Sequence, residues 1–175
     1  MQAMTRILFV CHGNICRSPM AEFVMKKMAR EQGCASDFEI ASAATSTEEI
    51  GNPVYPPARR MLASHGIDCS GKTARQMTLR DYEYYDYIIL MDKNNLRNLR
   101  WILPADIYER ERAYNETRSI LDATGNAKGK VTLLMDWTRH PRDVADPWYT
   151  GNFDDTWRDV NEGCKALLAQ IGNKI

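Results

Sequence analysis

Short apolar runs alternate with segments of helical periodicity along this chain of 175 residues. Runs of this kind suit strands, and apolar residues repeating every three to four positions suit helices packed on a sheet. The predicted strands cover 7–10, 38–42, 87–91 and 131–135, and the predicted helices cover 20–30, 54–65, 92–103 and 157–171. Because strands that alternate with helices form parallel sheets, we predict one three-layer α/β domain over residues 1–175. Ligands of such sheets bind beyond the carboxyl ends of the strands, so the loops after Val10 and Met135 matter most.

The composition argues against several classes of partner and location. The chain has 23 basic and 23 acidic residues, so no global positive field attracts nucleic acid or anionic lipid. No apolar run approaches the roughly 20 residues that a membrane span needs, and the polar first six residues do not suit a secretory signal. The five cysteines match no disulfide framework. We therefore expect a cytoplasmic protein with reduced thiols that binds neither nucleic acid nor membrane.

The segment between the first strand and the first helix has the composition of an anion-binding loop. Cys11 and Arg17 are separated by five residues, whose N–H groups can curl inward around an anion. Gly13 and Asn14 tolerate the left-handed backbone that such a curl needs, and Pro19 fits the first turn of the helix that follows. The guanidinium of Arg17 can grip two phosphate oxygens. The predicted phosphate-binding residues are His12, Gly13, Asn14, Ile15, Cys16, Arg17 and Ser18.

Cys11 lies where this loop would place a nucleophile. A free thiol titrates near ~8.5, but at a helix N-terminus beside a cation its pKa can fall to roughly 3.5–7.5. We therefore predict that Cys11 is a thiolate facing the bound phosphorus, with Ser18 donating its hydroxyl to the sulfur. The alternative is that Cys11 is a small buried apolar residue and Arg17 is solvated on the helix.

The chain resembles the low-molecular-weight protein tyrosine phosphatases over most of its length. The resemblance lies in CHGNICRSP at 11–19, SAATS at 42–46, HGI at 65–67, TARQ at 73–76, DYIILMD at 86–92 and DPWY at 146–149. It implies a four-stranded parallel sheet with helices on both faces. It also implies hydrolysis of phosphotyrosine through a cysteinyl phosphate, with no metal or cofactor and with inorganic phosphate as product. The substrate would be a tyrosine-phosphorylated protein or an aryl phosphate.

The resemblance assigns the general acid to Asp146. Candidate acids after the fourth predicted strand are Asp143, Asp146, Asp154 and Asp155. Of these, only Asp146 precedes a proline, which restricts its backbone to an extended conformation. From residue types alone, a turn-forming Asp-Pro pair is the favoured interpretation. By the resemblance, Asp146 protonates the leaving group and then acts as base for water.

The resemblance also assigns supporting roles. Trp148 and Tyr149 would form an aromatic wall beside the entrance, although core packing is an alternative for Trp148. Cys16 would form a reversible disulfide with Cys11, and its alternative is a plain buried thiol. The residues expected to brace the loop are Asn14, Ser18, Ser42 and His65, of which His65 alternatively caps a helix.

The chain departs from the family pattern at three places. His12 stands where relatives usually carry an aliphatic residue, and Glu48 stands where many eukaryotic relatives have an aromatic one. Residues 104–126 look longer than the family connection, and we predict a solvated helix there, with substrate docking as the alternative. A zinc site at Cys11, His12 and Cys16 would be one ligand short.

Two other activities on the same fold fit this sequence less well. An arsenate reductase needs further cysteines after the third strand, and residues 70–100 contain none. A phosphoarginine phosphatase tends to carry threonine where this chain has Ile15, so the sequence favours an aryl substrate.

Overall fold

The computed structural model describes residues 3–172, in which four strands form one parallel sheet. The strands are β1 (Thr5–Cys11), β2 (Phe38–Ala44), β3 (Tyr87–Leu90) and β4 (Val131–Leu133). Their order across the sheet is β2-β1-β3-β4, so β1 is central, with Cys11 opposite Ala44 and Val10 opposite Leu90. The predicted α/β fold with a four-stranded parallel sheet is confirmed.

Seven α-helices connect the described strands and cover the sheet. They are α1 (Arg17–Glu31), α2 (Pro56–Ser64), α3 (Leu79–Tyr84), α4 (Lys93–Asn98), α5 (Ala105–Tyr114), α6 (Pro147–Thr150) and α7 (Phe153–Gly172). Gly33 and Gly66 follow the first two helices with positive φ angles of 72° and 75°, as expected for residues that end helices. Over residues 3–172, no helix combines the length and apolar character that crossing a bilayer requires.

The alternating side chains of β1 pack into two cores. Ile7 and Phe9 belong to the core beneath α1 and α7, whereas Leu8 and Val10 belong to the core on the opposite face, beneath α4. All four side chains are fully buried. A fully buried side chain of this size contributes about 1.5–3 kcal/mol to stability, so both helical layers are needed to cover the sheet.

Two elements end earlier than the sequence predicts. The fourth strand ends at Leu133, because the chain turns into a 3₁₀ helix over Leu134–Trp137 that carries Leu134 into the core. A Cβ on Gly163 of α7 would lie 2.4 Å from Leu134 Cγ, so the glycine allows this close approach. The helix after Asp92 ends at Asn98 and continues as a 3₁₀ turn over Leu99–Trp101.

Residues 104–126 contain α5, which one carboxylate anchors to the body. Glu111 is 2% exposed and accepts hydrogen bonds from Tyr82 Oη at 2.7 Å and from the backbone N–H groups of Lys130 and Val131 at 3.2 and 3.1 Å. The segment therefore packs on the molecule as a helix that is exposed on its outer side. Its status as an insertion atypical of the family stays a prediction.

Candidate active site

The loop that joins β1 to α1 curls around the sulfur of Cys11. Cys11 is the last residue of β1, and α1 begins six residues later at Arg17. Asn14 has a left-handed backbone with φ 60°, and its N–H lies 3.3 Å from Cys11 Sγ as a donor. Ser18 Oγ lies 3.1 Å from the same sulfur. The sulfur therefore lies within hydrogen-bonding distance of a backbone N–H and a hydroxyl.

A buried polar network holds the left-handed turn in place. The Asn14 side-chain amide donates to Ser18 Oγ at 2.8 Å and to Ser42 Oγ at 2.9 Å. Ser42 in turn donates to Glu22 Oε1 at 2.6 Å, and Lys72 Nζ donates to the Ser42 carbonyl at 2.8 Å. The three loop-bracing residues predicted as Asn14, Ser18 and Ser42 are thus brought together.

Glu22 and Lys72 complete this network and were not predicted. Lys72 Nζ lies 3.7 Å from Glu22 Oε1, and burial lowers the pKa of Lys72 against the attraction of that carboxylate. Glu22 lies on α1, where a glutamate ordinarily faces solvent, so nothing in its local sequence marks it as buried. The network shows that a long-range ion pair supports the loop from below.

The bracing contact predicted for His65 is wrong. Its ring stacks on Trp157 of α7 at 4.1 Å between centroids, and within residues 3–172 it makes no hydrogen bond to the loop. His65 is the residue after α2, and its backbone N–H bonds to the Leu62 carbonyl at 3.0 Å. The alternative interpretation, a residue that ends a helix, is the one observed.

The Arg17 side chain is only 3% exposed, and three acceptors hold its guanidinium beneath the loop. Nη1 donates to Asp92 Oδ2 at 2.7 Å and to the Val144 carbonyl at 2.8 Å, and Nη2 donates to Asp146 Oδ2 at 3.3 Å. Burial alone would lower the pKa of Arg17, but the negative charges of Cys11, Asp92 and Asp146 raise it above its ordinary value. The guanidinium is therefore a fixed cation.

Asp92 joins this site to the third strand. It follows β3 by two residues, its Oδ1 caps α4 by accepting from Asn95 N at 2.7 Å, and its Oδ2 binds Arg17. The sequence predicted Asp92 only as the start of a helix over 92–103. A signal for the second role existed, because the carboxyl ends of β1 and β3 lie at the same edge of a parallel sheet.

Asp146 is positioned by the short helix α6. Its Oδ1 accepts from Trp148 N at 3.0 Å as the N-cap of the helix, and Pro147 occupies the first helical position. Its backbone is extended, with φ −80° and ψ 113°, as expected before a proline. Oδ2 is left to face Arg17 Nη2 and the cleft, where the Asp146 side chain is 24% exposed.

A cleft of about 220 Å³ lies above the loop and brings the candidate residues together. Its lining includes Cys11, His12, Gly13, Ile15, Cys16, Arg17, Glu48, Glu49, Asp146, Trp148 and Tyr149. Asn14 and Ser18 are buried beneath it. A thiol nucleophile, a fixed cation and a carboxylate around one small cleft are the groups that phosphoryl transfer through a covalent intermediate requires.

The two aromatic residues of the predicted wall stand at the cleft mouth. Trp148 is 59% exposed and Tyr149 is 86% exposed, so core packing of Trp148 is excluded. The Trp148 ring leans on Tyr55 at 5.2 Å, which supports the wall and was not predicted. On the rim, His12 Nε2 lies 3.0 Å from Glu48 Oε2, so the two departures from the family pattern contact each other.

Cys16 lies in the same cleft but differs from Cys11. Burial raises the pKa of its thiol well above the ordinary value, and the charges of Cys11 and Asp146 raise it further. The disulfide predicted between Cys16 and Cys11 stays a prediction. Among residues 3–172, no three His, Cys, Asp or Glu side chains are grouped so as to hold a metal ion.

Comparisons with known proteins agree with this geometry. The family model described as "Low molecular weight phosphotyrosine protein phosphatase" matches residues 6–116 and 110–175. The chain is 35% identical over 170 residues to the low molecular weight protein-tyrosine-phosphatase YfkJ of Bacillus subtilis, covering 96% of each protein. It is also 35% identical to the human low molecular weight phosphotyrosine protein phosphatase, covering 95% of this chain and 96% of the human one.

Similarity to a solved structure extends the comparison to the fold. The crystal structure of YfkJ from Bacillus subtilis superposes with a TM-score of 0.81 at 33% identity, covering 99% of this chain and 98% of that one. This chain therefore resembles YfkJ both in sequence and in overall fold. The chain belongs to the low molecular weight phosphotyrosine protein phosphatase family.

Proposed function

We propose that this protein hydrolyses phosphotyrosine phosphomonoesters through a phosphorylated Cys11. The observation that carries the proposal is the convergence of Cys11, Arg17 and Asp146 on one cleft. The substrate phosphate would occupy the loop, where backbone N–H groups and one edge of the Arg17 guanidinium bind its oxygens. Asp92 and the Val144 carbonyl hold Nη1, so the guanidinium need not reorganise during the reaction.

In the first step, the Cys11 thiolate attacks phosphorus and the bond to the tyrosine oxygen breaks. Asp146 donates its proton to that oxygen, which leaves as a phenol. In the second step, water attacks the phosphorus while Asp146 takes a proton from the water. The S–P bond then breaks, which releases inorganic phosphate and restores the thiolate.

The depth of the cleft supports an aryl substrate. Cys11 is only 3% exposed, whereas Trp148 and Tyr149 stand exposed at the mouth. A phenyl ring is rigid and long enough to place a phosphate beside the sulfur while its face contacts the aromatic wall. Ile15 adds an apolar surface to the cleft lining.

Assays of matched phosphopeptides test this proposal. One peptide carries phosphotyrosine, a second carries phosphoarginine, and each is incubated with the wild-type protein and with Cys11→Ser. We expect release of phosphate from the phosphotyrosine peptide by the wild type alone, with retention of phosphate binding in Cys11→Ser. Faster turnover of the phosphoarginine peptide would reassign the substrate class, and substantial turnover by Cys11→Ser would reject the covalent mechanism.

A further inference from the structure

A basic groove lies on the face of the molecule that α4 and α5 cover. It encloses about 450 Å³, and Leu96, Tyr108 and Leu133 contribute apolar surface to its lining. Its cationic residues are Lys93, Arg97, Arg100, Arg112 and Arg118. Only two acidic residues line it, Glu116 and Asp136. The groove is therefore strongly positive in a chain whose formal net charge is zero.

Ion pairs within the protein account for only part of this charge. Arg112 pairs with Glu109 and Glu116, and Arg118 pairs with Asp136 and Asp143. The three cations of α4 and the turn after it make no salt bridge or side-chain hydrogen bond in the described part of the chain. They are Lys93, Arg97 and Arg100.

The three cations line the same groove. Lys93 and Arg97 lie four positions apart on one face of α4, Arg100 lies in the 3₁₀ turn that follows, and all three residues are exposed. Lys93 acts on Asp136 at longer range than an ion pair, and Arg97 and Arg100 make no ion pair in the described residues, so the row keeps an attraction for an external anion. A row of them along a groove with apolar surface suits an extended acidic polypeptide better than a single small anion.

The groove connects to the candidate active site. Arg97 also lines a cleft of about 400 Å³ that is shared with His12, Arg17 and Asp146. Asp92, which binds Arg17, is the residue from which α4 begins. Arg97 therefore borders both the groove and a cleft that reaches Arg17 and Asp146 of the candidate active site.

The rim of the active site has the opposite charge. Glu48 and Glu49 line the mouth of the cleft, and the Glu48 side chain is 68% exposed. Acidic residues directly beside a phosphotyrosine would meet like charges there, whereas acidic residues farther along would meet the cations of the groove. The two surfaces together set a charge pattern for a polypeptide that binds across both.

We propose that this groove binds an acidic segment of the tyrosine-phosphorylated protein substrate, at a distance along the chain from the phosphotyrosine. The inference rests on the proposed function, because it concerns a polypeptide that Cys11 dephosphorylates. It gives the segment 104–126 a role, since α5 and the residues after it form one wall of the groove.

Phosphotyrosine peptides with two different extensions test this inference. Both share a neutral sequence around the phosphotyrosine, and the extension is either acidic or an uncharged segment of equal length. The groove variant is Lys93→Gln with Arg100→Gln. The control variant is Lys165→Gln with Arg60→Gln, which removes the same charges from exposed positions on α7 and α2.

We expect the acidic extension to lower KM about threefold to tenfold for the wild type, because it can form two exposed ion pairs with the groove. The groove variant should lose this advantage, and the control variant should keep it. Added salt should screen these charges and remove the KM advantage of the acidic peptide from both the wild type and the control variant. Turnover of p-nitrophenyl phosphate, which is too small to reach the groove, should be the same in all three proteins.

Three results would overturn the inference. Equal KM values for the two peptides would remove the groove as a docking site, while their hydrolysis would leave the proposed function standing. An equal loss in the groove and control variants would assign the effect to overall charge. A dimer that dissociates in the groove variant, measured by sedimentation, would make the groove a contact between two copies. Failure of the wild type to hydrolyse either peptide would instead refute the proposed function.

Discussion

The side chain of Arg17 is almost completely buried, and hydrogen bonds to two carboxylates and a carbonyl fix the position of its guanidinium. A cation fixed in this way has lost its side-chain entropy during folding rather than on meeting substrate. The same holds for Cys11, because Asn14 and Ser18 contact its sulfur and the Asn14 side chain is itself held by Ser18 and Ser42. At the scale of single residues, the candidate chemistry depends on groups whose positions are set before any ligand arrives.

The proposed proton transfer is tested at Asp146. Asp146→Asn can still cap α6 through its side-chain oxygen but cannot donate a proton to a leaving group. We expect kcat for phosphotyrosine to fall by roughly 10²–10⁴-fold, which is the usual contribution of general acid catalysis. Turnover of aryl phosphates with different phenol pKa values measures this. If kcat depended on the phenol pKa in the same way in the variant and in the wild type, Asp146 would not be the general acid.

The two cysteines of the loop should differ in reactivity. Burial raises the pKa of Cys16, so less of it is thiolate at any given pH, and the thiolate is the species that reacts. We expect iodoacetamide at neutral pH to label Cys11 and to leave Cys16 unlabelled until the protein is unfolded. Peptide mapping by mass spectrometry measures this. Labelling of both residues at the same rate would contradict the interpretation.

The sequence marked the residues that carry chemistry better than those that support them. Cys11 and Arg17 lie six positions apart in a recognisable pattern, so their proximity follows from one loop. Glu22, Lys72 and Ser42 come from three segments, and their contact depends on how α1 lies on β2. Local sequence contains no information on such a contact, which is also why His65 was placed beside the loop in error.

The N-cap residue of α4, Asp92, combines two functions. Asp92 and Asn95 form reciprocal hydrogen bonds at the start of this helix, and the second carboxylate oxygen of Asp92 binds Arg17. The capping pattern allowed the start of α4 to be predicted from sequence. The end of α4 was not predictable in the same way, because Leu99 and Leu103 continue the apolar periodicity through a 3₁₀ turn.

Paired substitutions of Asp92 separate these two functions. Asp92→Asn keeps an oxygen for the cap, whereas Asp92→Ala removes it, and both lose the charge that faces Arg17. We expect kcat/KM to fall about tenfold to a hundredfold in both, as misplacement of a binding group would cause. The free energy of unfolding of Asp92→Ala should be about 0.5–2 kcal/mol lower than that of Asp92→Asn, because only the alanine variant loses the cap. Wild-type kcat/KM in Asp92→Asn would show that Arg17 does not need the carboxylate.

The whole sheet acts as a platform for the site. Cys11 is the last residue of β1, whereas Asp92 and Asp146 come from the segments after β3 and β4. All three lie at the carboxyl edge of the sheet. The alternation of apolar runs and helices was sufficient to predict a parallel sheet. The strand order depends on long-range pairing, which the alternation alone does not specify, although the handedness of such crossovers restricts it.

Binding of inorganic phosphate should therefore stabilise the entire domain. A ligand that binds only the folded state at a hundred times its Kd adds about 2.7 kcal/mol. For a domain of this size, that is a rise in Tm of roughly 5–10 °C. Thermal unfolding in phosphate and in chloride of equal ionic strength measures the difference. Equal Tm values at phosphate concentrations that inhibit turnover would contradict binding within the fold.

The most direct test of the account is to trap the phosphorylated enzyme. The Asp146→Asn variant is mixed with p-nitrophenyl phosphate, whose good leaving group needs no acid, and is quenched before water attacks the intermediate. Peptide mapping by mass spectrometry then locates the phosphoryl group. The account predicts one phosphoryl group on Cys11. A phosphoryl group on another side chain, or continued turnover with none attached to the protein, would contradict it.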